Sequence, residues 1–329
     1  MMEFWTGAGT VSKNRKMPTA IAAGYSAAAD AAITAEKLGF DGVSAAEHHF
    51  MYDAFTPQPL QSLAAMAAVT ERVKLLTGAM LLPLYDPLEA AEQSITLDIL
   101  SNGRVCMGLG MGYRPLEFNT FGTAKRTRGA RLVEGMEVLR LATSQETFSY
   151  SGKHYQYENV SMLPRPVQSP IEMYFCGGAT PFGARRAGQA GLPYWLANSP
   201  TDHAEEMIKE YRRIGLEAGH PAEQLKVAVF KDLCIADTMS EAFELRDFMM
   251  NTFYEEHILG YGYLVDADGK NLYNPPKEHP IYQRFYSSMA CVTPEMAIEE
   301  VKRYERMGID AIYMGNRDLV AQLILPEFK

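Results

Sequence analysis

Two adjacent histidines follow a glutamate in the segment Ala46 to Phe50, which reads A-E-H-H-F at the end of a predicted strand. An imidazole titrates near neutral pH and can therefore give or accept a proton in catalysis. Neighbouring side chains of an extended strand point to opposite faces, so His48 and His49 cannot both face one site. Three consecutive residues also form a poor metal tripod. The pattern predicts one catalytic and one structural histidine, with two hydrogen-bonded structural histidines as the alternative.

Small residues end the next predicted strand, at Thr77, Gly78 and Ala79. Their size leaves room for a flat ring at the mouth of a barrel, although close packing of a helix on the strand explains them equally well. The segment Gly108 to Tyr113 reads G-L-G-M-G-Y and lacks the final glycine of the G-x-G-x-x-G fingerprint. It predicts a loop that lets a ligand approach the backbone closely, but no NAD site.

A further glycine-rich segment, Cys176 to Gly183, reads C-G-G-A-T-P-F-G, and its proline favours the start of a helix. Backbone N–H groups and the helix dipole at such a start can hold a phosphate, and the Thr180 hydroxyl can assist them. An ordinary turn between a strand and a helix is the alternative interpretation.

Several function classes are excluded by what the sequence lacks. It has no G-x-S-x-G, H-E-x-x-H or G-x-x-x-x-G-K-[ST] motif, which argues against serine hydrolases, zinc proteases and P-loop enzymes. No candidate Schiff-base lysine stands at the end of a predicted strand, which argues against an aldolase or lyase. The four cysteines lack C-x-x-C spacing, so we expect neither a metal site nor a disulfide framework.

Charge and hydropathy indicate the setting in which the chain works. The net charge of -9 and the scattered basic residues argue against nucleic acid as a partner. No apolar run is long enough to cross a bilayer, and Met1 to Thr10 lack the features of a secretory signal. We therefore expect a cytoplasmic protein that does not bind a membrane.

Short apolar runs alternate with helical runs along the whole chain, which is typical of parallel strands joined by helices. The alternation favours a closed (β/α)8 TIM barrel in one domain, residues 1–329, with a doubly wound open sheet as the alternative. The predicted strands are Glu3 to Gly7, Gly42 to Ala46, Lys74 to Met80, Val105 to Leu109, Ile171 to Cys176, Tyr194 to Ala197, Val227 to Ala236 and Ala311 to Met314. The predicted helices are Tyr25 to Leu38, Gln58 to Thr70, Pro87 to Leu100, Thr127 to Leu141, Gly183 to Ala190, Asp202 to Ala218, Ser240 to Met250 and Pro294 to Met307.

Two insertions, at about residues 148–165 and 254–290, interrupt the alternation. Phe148 to Tyr157 alternates aromatic and polar residues around a Ser-Gly pair, which predicts a β-hairpin. Tyr254 to Met289 is rich in tyrosine and contains the turn signal Asp266 to Gly269. A long irregular loop of this kind is often a functional lid, and we interpret it as one.

Five motifs carry a resemblance to a known family. They are A-E-K-L-G-F-D-G-V from Ala35, A-E-H-H-F from Ala46, T-G-A-M-L-L-P-L-Y-D-P-L from Thr77, S-N-G-R-V-C-M-G-L-G-M-G-Y from Ser101 and L-P-R-P-V-Q from Leu163. Together they resemble the bacterial luciferase-like family of flavin-dependent monooxygenases. The resemblance covers roughly Met2 to Asn198 and returns at Met307 to Asn316.

The resemblance implies that FMN binds at the mouth of the barrel. His48 matches the catalytic histidine of the family, and Gly78-Ala79 match its non-prolyl cis peptide beneath the flavin ring. Two loops would line the flavin and its phosphate, namely Gly110, Met111, Gly112 and Tyr113, and Gly178, Ala179 and Thr180. Met111 departs from the pattern, because luciferases place a phosphate-binding arginine there, and Arg104 and Arg185 are alternative cations.

The same resemblance implies a reaction in which reduced FMN, as co-substrate, and O2 form a peroxyflavin that oxidises a small, largely apolar substrate. Trp5 and Phe50, with Tyr113 and the lid, would shape the substrate pocket and exclude water. A separate flavin reductase would supply reduced FMN, because the chain lacks a nicotinamide fingerprint. The alternatives are a deazaflavin-dependent hydride-transfer oxidoreductase on the same barrel and a non-catalytic flavin-binding barrel.

A homodimer is also expected from the family. The predicted helices Gln58 to Thr70 and Pro87 to Leu100 carry many small apolar residues that suit an interface between two copies. Close packing of these helices on the barrel is the alternative explanation. The identity of the substrate does not follow from the sequence.

Overall fold

Eight parallel strands form the central sheet. The computed structural model describes residues 2–8, 21–255, 258–262, 264–265, 271–273 and 275–329. Its strands are β1 (Glu3–Gly7), β2 (Gly42–Ala45), β3 (Lys74–Met80), β4 (Val105–Gly110), β5 (Thr147–Ser151), β6 (Gln156–Ser161), β7 (Glu172–Cys176), β8 (Tyr194–Leu196), β9 (Val227–Lys231), β10 (Leu233–Ile235), β11 (Leu264–Val265), β12 (Asn271–Leu272), β13 (Ala290–Val292) and β14 (Ala311–Met314). The closed order β1-β14-β9-β8-β7-β4-β3-β2 confirms the predicted (β/α)8 barrel.

Helices follow most of the barrel strands along the chain. They are α1 (Ile21–Lys37), α2 (Pro59–Ala67), α3 (Pro87–Leu100), α4 (Pro115–Thr120), α5 (Arg128–Ser144), α6 (Pro181–Ala190), α7 (Thr201–Glu217), α8 (Met239–Met249), α9 (Pro280–Ser288), α10 (Pro294–Arg306) and α11 (Arg317–Leu323). Contacts divide the chain into two compact units, one built mainly from residues 20–176 and the other mainly from residues 177–329 with β1. The single domain over residues 1–329 stays a prediction.

Helix starts in both units use side chains that the sequence places at the cap. Asp86 accepts the Leu88 N–H at 2.8 Å before α3, and Pro87 occupies the first turn, where its missing N–H costs nothing. Thr180 accepts the Gly183 N–H before α6. The two helices begin a few residues after β3 and β7. Their caps therefore hold the far ends of the loops that follow these two strands.

The predicted hairpin is confirmed, because β5 and β6 pair antiparallel from Thr147 opposite Ser161. The predicted strand Val227 to Ala236 is wrong as one element, because it divides at Asp232 into β9 of the barrel and β10, which pairs with β13. The Asp232 N–H donates to the Asn198 side chain at 3.3 Å. At Asp232 the backbone therefore stops pairing with the strands of the barrel, and the next residues form β10.

The segment Tyr254 to Met289 is more regular than the predicted loop. Its described residues include the two-stranded sheet β11–β12 and the helix α9, which starts where the His279 ring accepts the Ile281 N–H at 3.2 Å. The turn signal Asp266 to Gly269 lies outside the described residues. The prediction of an irregular loop is thus wrong over α9, which residues 280–288 form despite three aromatic side chains.

Three of the six alanines of the expected dimer helices are buried within the chain itself. Ala90 and Ala91 of α3 are fully buried and Ala67 of α2 is nearly so, whereas Ala64 is half-buried and Ala65 and Ala68 are exposed. Packing inside the fold explains the buried alanines, and the homodimer stays a prediction. Among the described helices, none combines the length and the apolarity needed to span a bilayer.

Candidate active site

The two histidines after β2 each face a carboxylate of their own. His48 Nδ1 lies 3.0 Å from Glu117 Oε1, and His49 Nε2 lies 2.6 Å from Glu47 Oε1. All four side chains belong to the unit built mainly from residues 20–176. Both histidines lie beyond β2, which ends at Ala45, and His49 is in a bend, so the two rings reach different carboxylates from the loop that follows the strand. One strand end therefore supports two separate carboxylate–imidazole pairs.

Glu117 is the member of the site that sequence reasoning missed. It comes from α4, is fully buried, and accepts the His49 N–H at 3.0 Å through the same oxygen that meets His48. Arg114 Nη1 lies 3.5 Å from that oxygen. Burial acts to raise the pKa of Glu117, but the hydrogen bonds and charge of its partners prevail and hold the pKa below its ordinary value. Glu117 is accordingly an ionised carboxylate at neutral pH.

The second nitrogen of the His48 ring meets a phenol. Tyr113 Oη lies 3.0 Å from His48 Nε2, and the two rings meet edge to face with centroids 5.2 Å apart. Phe55 packs on the imidazole with the same centroid distance. The His48 ring is thus held on both nitrogens and flanked by two aromatic side chains.

Glu47 connects the end of β2 to the end of β3. Its second oxygen accepts the Leu81 N–H at 3.1 Å, while only 2% of the residue is exposed. Burial raises the pKa of the Glu47 carboxyl above its ordinary value, and the opposing contributions of His49 and the Leu81 N–H only partly offset this. The carboxyl fixes His49 and the backbone beyond β3 in one position.

The peptide bond between Gly78 and Ala79 is cis, as the resemblance implied. Next to it lies Gly110, where an added Cβ would come within 3.1 Å of the Ala79 Cβ. Gly112 has φ +68°, and a Cβ there would come within 3.2 Å of the Phe118 ring. Both glycines are thus required by close packing or by backbone conformation. The structure brings these residues together with Tyr113 at the end of β4.

Of the two alternative cations, Arg104 does not lie beside Met111. Arg104 precedes β4, whereas Met111 follows it, so the two residues lie at opposite ends of the strand. The Arg104 guanidinium makes five hydrogen bonds there, to acceptors of Ala67, Thr70, Val73 and Ser101. Arg185 is exposed on α6 and pairs with Glu210 of α7 at 3.5 Å.

The predicted phosphate loop belongs to the other unit, at the start of α6. Gly178 has φ +72°, and an added Cβ would have open space around it. The Ala179 carbonyl accepts from Arg284 Nη2 at 2.8 Å and lies 3.0 Å from His203 Nε2. The Thr180 hydroxyl accepts the Gly183 N–H and can still donate. This loop therefore has open space at Gly178, precedes the start of α6 and is contacted by the Arg284 side chain.

Asn198 connects both ends of the predicted lid, Tyr254 to Met289, to the rest of the unit built mainly from residues 177–329. Its side-chain nitrogen lies 3.2 Å from Tyr254 Oη, 3.2 Å from Ser288 Oγ and 3.4 Å from Asp232 Oδ2. The Tyr254 hydroxyl also donates to Asp232. Burial raises the pKa values of both Asp232 and Tyr254, so the phenol keeps its proton for this bond. The ends of the segment are therefore anchored at one buried polar cluster.

Lys231 is a lysine at the end of a barrel strand, and the expectation that none stands there is wrong. It was missed because the predicted strand ran on to Ala236. Lys231 is 1% exposed, and its ammonium donates to the Ser199 and Ser288 carbonyls at 3.0 and 3.3 Å and pairs with Glu300 at 3.7 Å. Although burial lowers the pKa of Lys231, these three partners use its three N–H groups. The side chain is placed as a structural cation.

The two predicted pocket residues differ in exposure. Trp5 is fully buried, packs edge-on against Trp195 with centroids 5.1 Å apart, and donates to Glu3 at 2.9 Å. Phe50 is 51% exposed and packs on Phe121 with centroids 5.4 Å apart. Of the pair, Phe50 has the surface that a substrate can contact.

Comparison with known proteins identifies relatives of the chain. An uncharacterised protein of Sinorhizobium fredii is 35% identical over 156 residues, which cover 47% of this chain and 46% of that protein. The chain thus matches about half the length of this relative. The oxygenase component of the flavin-dependent trigonelline monooxygenase from Acinetobacter baylyi is 23% identical over 293 residues, covering 84% of this chain and 79% of that protein.

Solved structures show the same fold. The oxygenating constituent of 3,6-diketocamphane monooxygenase from Pseudomonas putida, in complex with FMN, has a TM-score of 0.75 and 18% identity, covering 100% and 99% of the two chains. An F420-dependent secondary alcohol dehydrogenase has a TM-score of 0.76 and 21% identity over the same shares. The sequence model of the protein family described as luciferase-like monooxygenase matches residues 6–311 of this chain. Since this match spans nearly the whole chain, the protein belongs to the luciferase-like monooxygenase family of enzymes.

Proposed function

We propose that this enzyme is a flavin-dependent monooxygenase that uses reduced FMN and O2 to oxidise a small, largely apolar organic substrate. The observation that carries the proposal is the arrangement of Glu117, His48 and Tyr113 at the end of β2 and β4. Active sites of barrel enzymes lie at the carboxyl ends of the strands. A carboxylate that orients an imidazole is a recurring device for moving a proton during a reaction.

The residues present fit a flavin. Gly110 lets the end of β4 approach Ala79 closely, since an added Cβ would come within 3.1 Å of the Ala79 Cβ, and bare backbone of this kind can lie close to a flat ring. Glu117 Oε2 is buried and has no hydrogen-bond partner among the described residues, so one polar atom beside His48 is left unsatisfied by the protein. In the unit built mainly from residues 177–329, described by itself, Gly178 to Thr180 and Arg284 offer backbone N–H groups and a positive charge to a phosphate. When bound, reduced FMN supplies the electrons and the site at which O2 reacts.

The protein residues have distinct parts in this proposal. Glu117 holds the His48 ring, and His48 holds or moves the proton at its Nε2. Phe50, Phe55 and Phe121 surround the two histidines with apolar surface, which suits an apolar substrate and limits access of water. A separate reductase would deliver reduced FMN, as the relative named an oxygenase component suggests.

A deazaflavin-dependent hydride transfer is the second candidate. It is favoured by Met111, which supplies no cation beside the glycines of β4, and by the likeness to an F420-dependent dehydrogenase. On this alternative the same His48 and Glu117 would serve proton transfer at the substrate, but O2 would have no part. The choice of cofactor therefore separates the two reactions.

Equilibrium titration of the protein with FMN, reduced FMN and coenzyme F420, under anaerobic conditions, tests the proposal. We expect reduced FMN to bind at least about tenfold more tightly than F420, a difference of about 1.4 kcal/mol. The variant Gly110→Val should weaken reduced-FMN binding by a similar factor, because its side chain would push against Ala79 and displace the backbone at the ends of β3 and β4. The exposed substitution Ala222→Val is the control and should leave affinity unchanged.

Tighter binding of F420 than of reduced FMN would contradict the monooxygenase proposal and support hydride transfer. Equal affinities of wild type and Gly110→Val, with both proteins folded by circular dichroism, would show that flavin binding does not depend on the close approach of Gly110 to Ala79. Binding of FMN without any turnover on aldehydes, cyclic ketones, sulfonates or aromatic compounds would favour the non-catalytic flavin-binding barrel.

A further inference from the structure

Both nitrogens of the His48 ring are already engaged in the protein. Nδ1 lies 3.0 Å from Glu117 Oε1, and Nε2 lies 3.0 Å from Tyr113 Oη. Each ring nitrogen carries either one hydrogen or one lone pair, so each serves one strong partner. The imidazole consequently reaches a third atom only by breaking one of these contacts.

The direction of the hydrogen bonds follows from the charge of Glu117. Its partners hold its pKa below the ordinary value, and an ionised carboxylate only accepts hydrogen bonds. Nδ1 of His48 must therefore carry a hydrogen. In the neutral imidazole Nε2 then has the lone pair, and the Tyr113 hydroxyl donates to it. The three groups form a series of carboxylate, imidazole and hydroxyl.

Tyr113 is the member of this series whose polar atom can serve a further partner, because a hydroxyl has one hydrogen and two lone pairs. The Tyr113 and His48 side chains are both partly exposed, that of His48 by 13%, whereas Glu117 is fully buried and Phe55 packs on the His48 ring. The left-handed conformation of Gly112 turns the chain just before Tyr113, after the end of β4. The hydroxyl thus lies at the strand end where barrel enzymes act on their substrates.

We propose that the Tyr113 hydroxyl exchanges the proton with the reacting oxygen atom and that His48 acts through it, an inference that rests on the proposed function. With a protonated imidazole, Nε2–H donates to Tyr113 Oη. The phenol gives its proton to an oxygen that carries negative charge, and Nε2–H returns a proton to the phenolate. One O–H and one N–H bond break, two O–H bonds form, and no electrons are transferred. The net change moves one proton from the imidazolium to the reacting oxygen.

The substitution Tyr113→Phe tests this role because it removes the hydroxyl and keeps the ring. We expect turnover with reduced FMN and O2 to fall by about 10²-fold or more, as for loss of a general acid or base. The dissociation constant of reduced FMN should change by less than about threefold, or about 0.65 kcal/mol. Tyr150→Phe, on the hairpin strand β5, is the matched control and should keep wild-type turnover.

A second measurement needs neither cofactor nor turnover. Nitrogen-15 NMR of labelled histidine in the cofactor-free protein shows which nitrogen of His48 carries the hydrogen. Wild type and Tyr113→Phe should both show the Nδ1–H form, since Glu117 fixes it in each. Glu117→Gln should show a mixture, because a carboxamide can donate as well as accept. A purely structural role of Tyr113 would not produce the kinetic loss alongside an unchanged Nδ1–H form.

Wild-type turnover by Tyr113→Phe would overturn the inference while leaving the proposed function intact. The Nε2–H form in the wild-type protein would overturn it as well, because Tyr113 would then accept from His48 in the neutral state. Absence of oxygen-dependent turnover in wild type, despite flavin binding, would contradict the proposed function instead, and this inference would fall with it.

Discussion

Replacing His48 by alanine is expected to lower turnover by about 10² to 10⁴-fold, the range for loss of a positioned acid or base. The imidazole links Glu117 to Tyr113 through two contacts of 3.0 Å, and alanine removes both. Affinity for reduced FMN should change by less than about threefold, or about 0.65 kcal/mol, because the glycines of β3 and β4 are untouched. Steady-state kinetics and a flavin titration on one preparation measure both quantities.

The matched control is His154→Ala, on the hairpin between β5 and β6, which should behave as wild type. Equal losses of turnover and of flavin affinity in His48→Ala would assign His48 a structural role. Retention of wild-type turnover would remove it from the mechanism altogether.

Replacing Glu47 by alanine should cost about 2–6 kcal/mol of unfolding free energy, because two buried hydrogen-bonding groups lose their partner at about 1–3 kcal/mol each. The change leaves the His49 ring and the Leu81 N–H without their acceptor in a site that is 2% exposed at Glu47. Unfolding in urea at neutral pH measures the loss. The exposed Glu223→Ala is the control and should stay within about 0.5 kcal/mol of wild type. A similar small cost for both variants would show that Glu47 does not fix these groups.

The two buried carboxyls should respond to pH in opposite ways. Burial raises the pKa of Glu47 above 4.5, so its protonation favours the folded state at acid pH, and this contribution is lost as pH rises through the folded-state pKa. The pKa of Glu117 lies below 4.5, so its contribution is present above pH 4.5 and is lost only as pH falls further. The stability difference between wild type and Glu47→Gln should shrink from pH 4.5 to about 7.5.

From pH 4.5 to about 7.5 the difference in unfolding free energy between wild type and Glu117→Gln should stay nearly constant. Each variant therefore serves as the control for the other. Urea unfolding at several pH values measures both differences. A difference that grows with pH for Glu47→Gln would contradict the raised pKa and would mean that Glu47 is held as a well-compensated anion.

Much of the barrel was predictable because its strands are short apolar runs bounded by turn residues. β1, β3 and β14 have the predicted bounds, and α3 begins and ends as predicted because Asp86 and Pro87 mark its start. The different partners of His48 and His49 agree with the predicted separation of the two rings, although both histidines lie in the loop after β2 and not in the strand. At these positions the residue types within one segment determine where the strand or helix begins and ends.

The rest depended on contacts between residues distant in sequence. Glu117 is 69 residues from His48, and the one local signal was an acidic residue in the first turn of a helix that begins at Pro115. The break at Asp232 depends on its bond to Asn198, 34 residues away, so the pattern of β9 and β10 read as one strand. Lys231 consequently fell within a predicted strand instead of at its end. Such pairings cannot be inferred from one segment at a time.

Labelled oxygen tests the central claim most directly. The protein is supplied with reduced FMN from a flavin reductase and with oxygen-18 gas, and a panel of aldehydes, cyclic ketones, sulfonates and aromatic compounds is analysed by mass spectrometry. We expect one product oxygen atom to derive from O2, and we expect His48→Ala to form this labelled product about 10² to 10⁴-fold more slowly than wild type. Substrate oxidation that proceeds without O2, or that requires F420 and yields an unlabelled product, would contradict it.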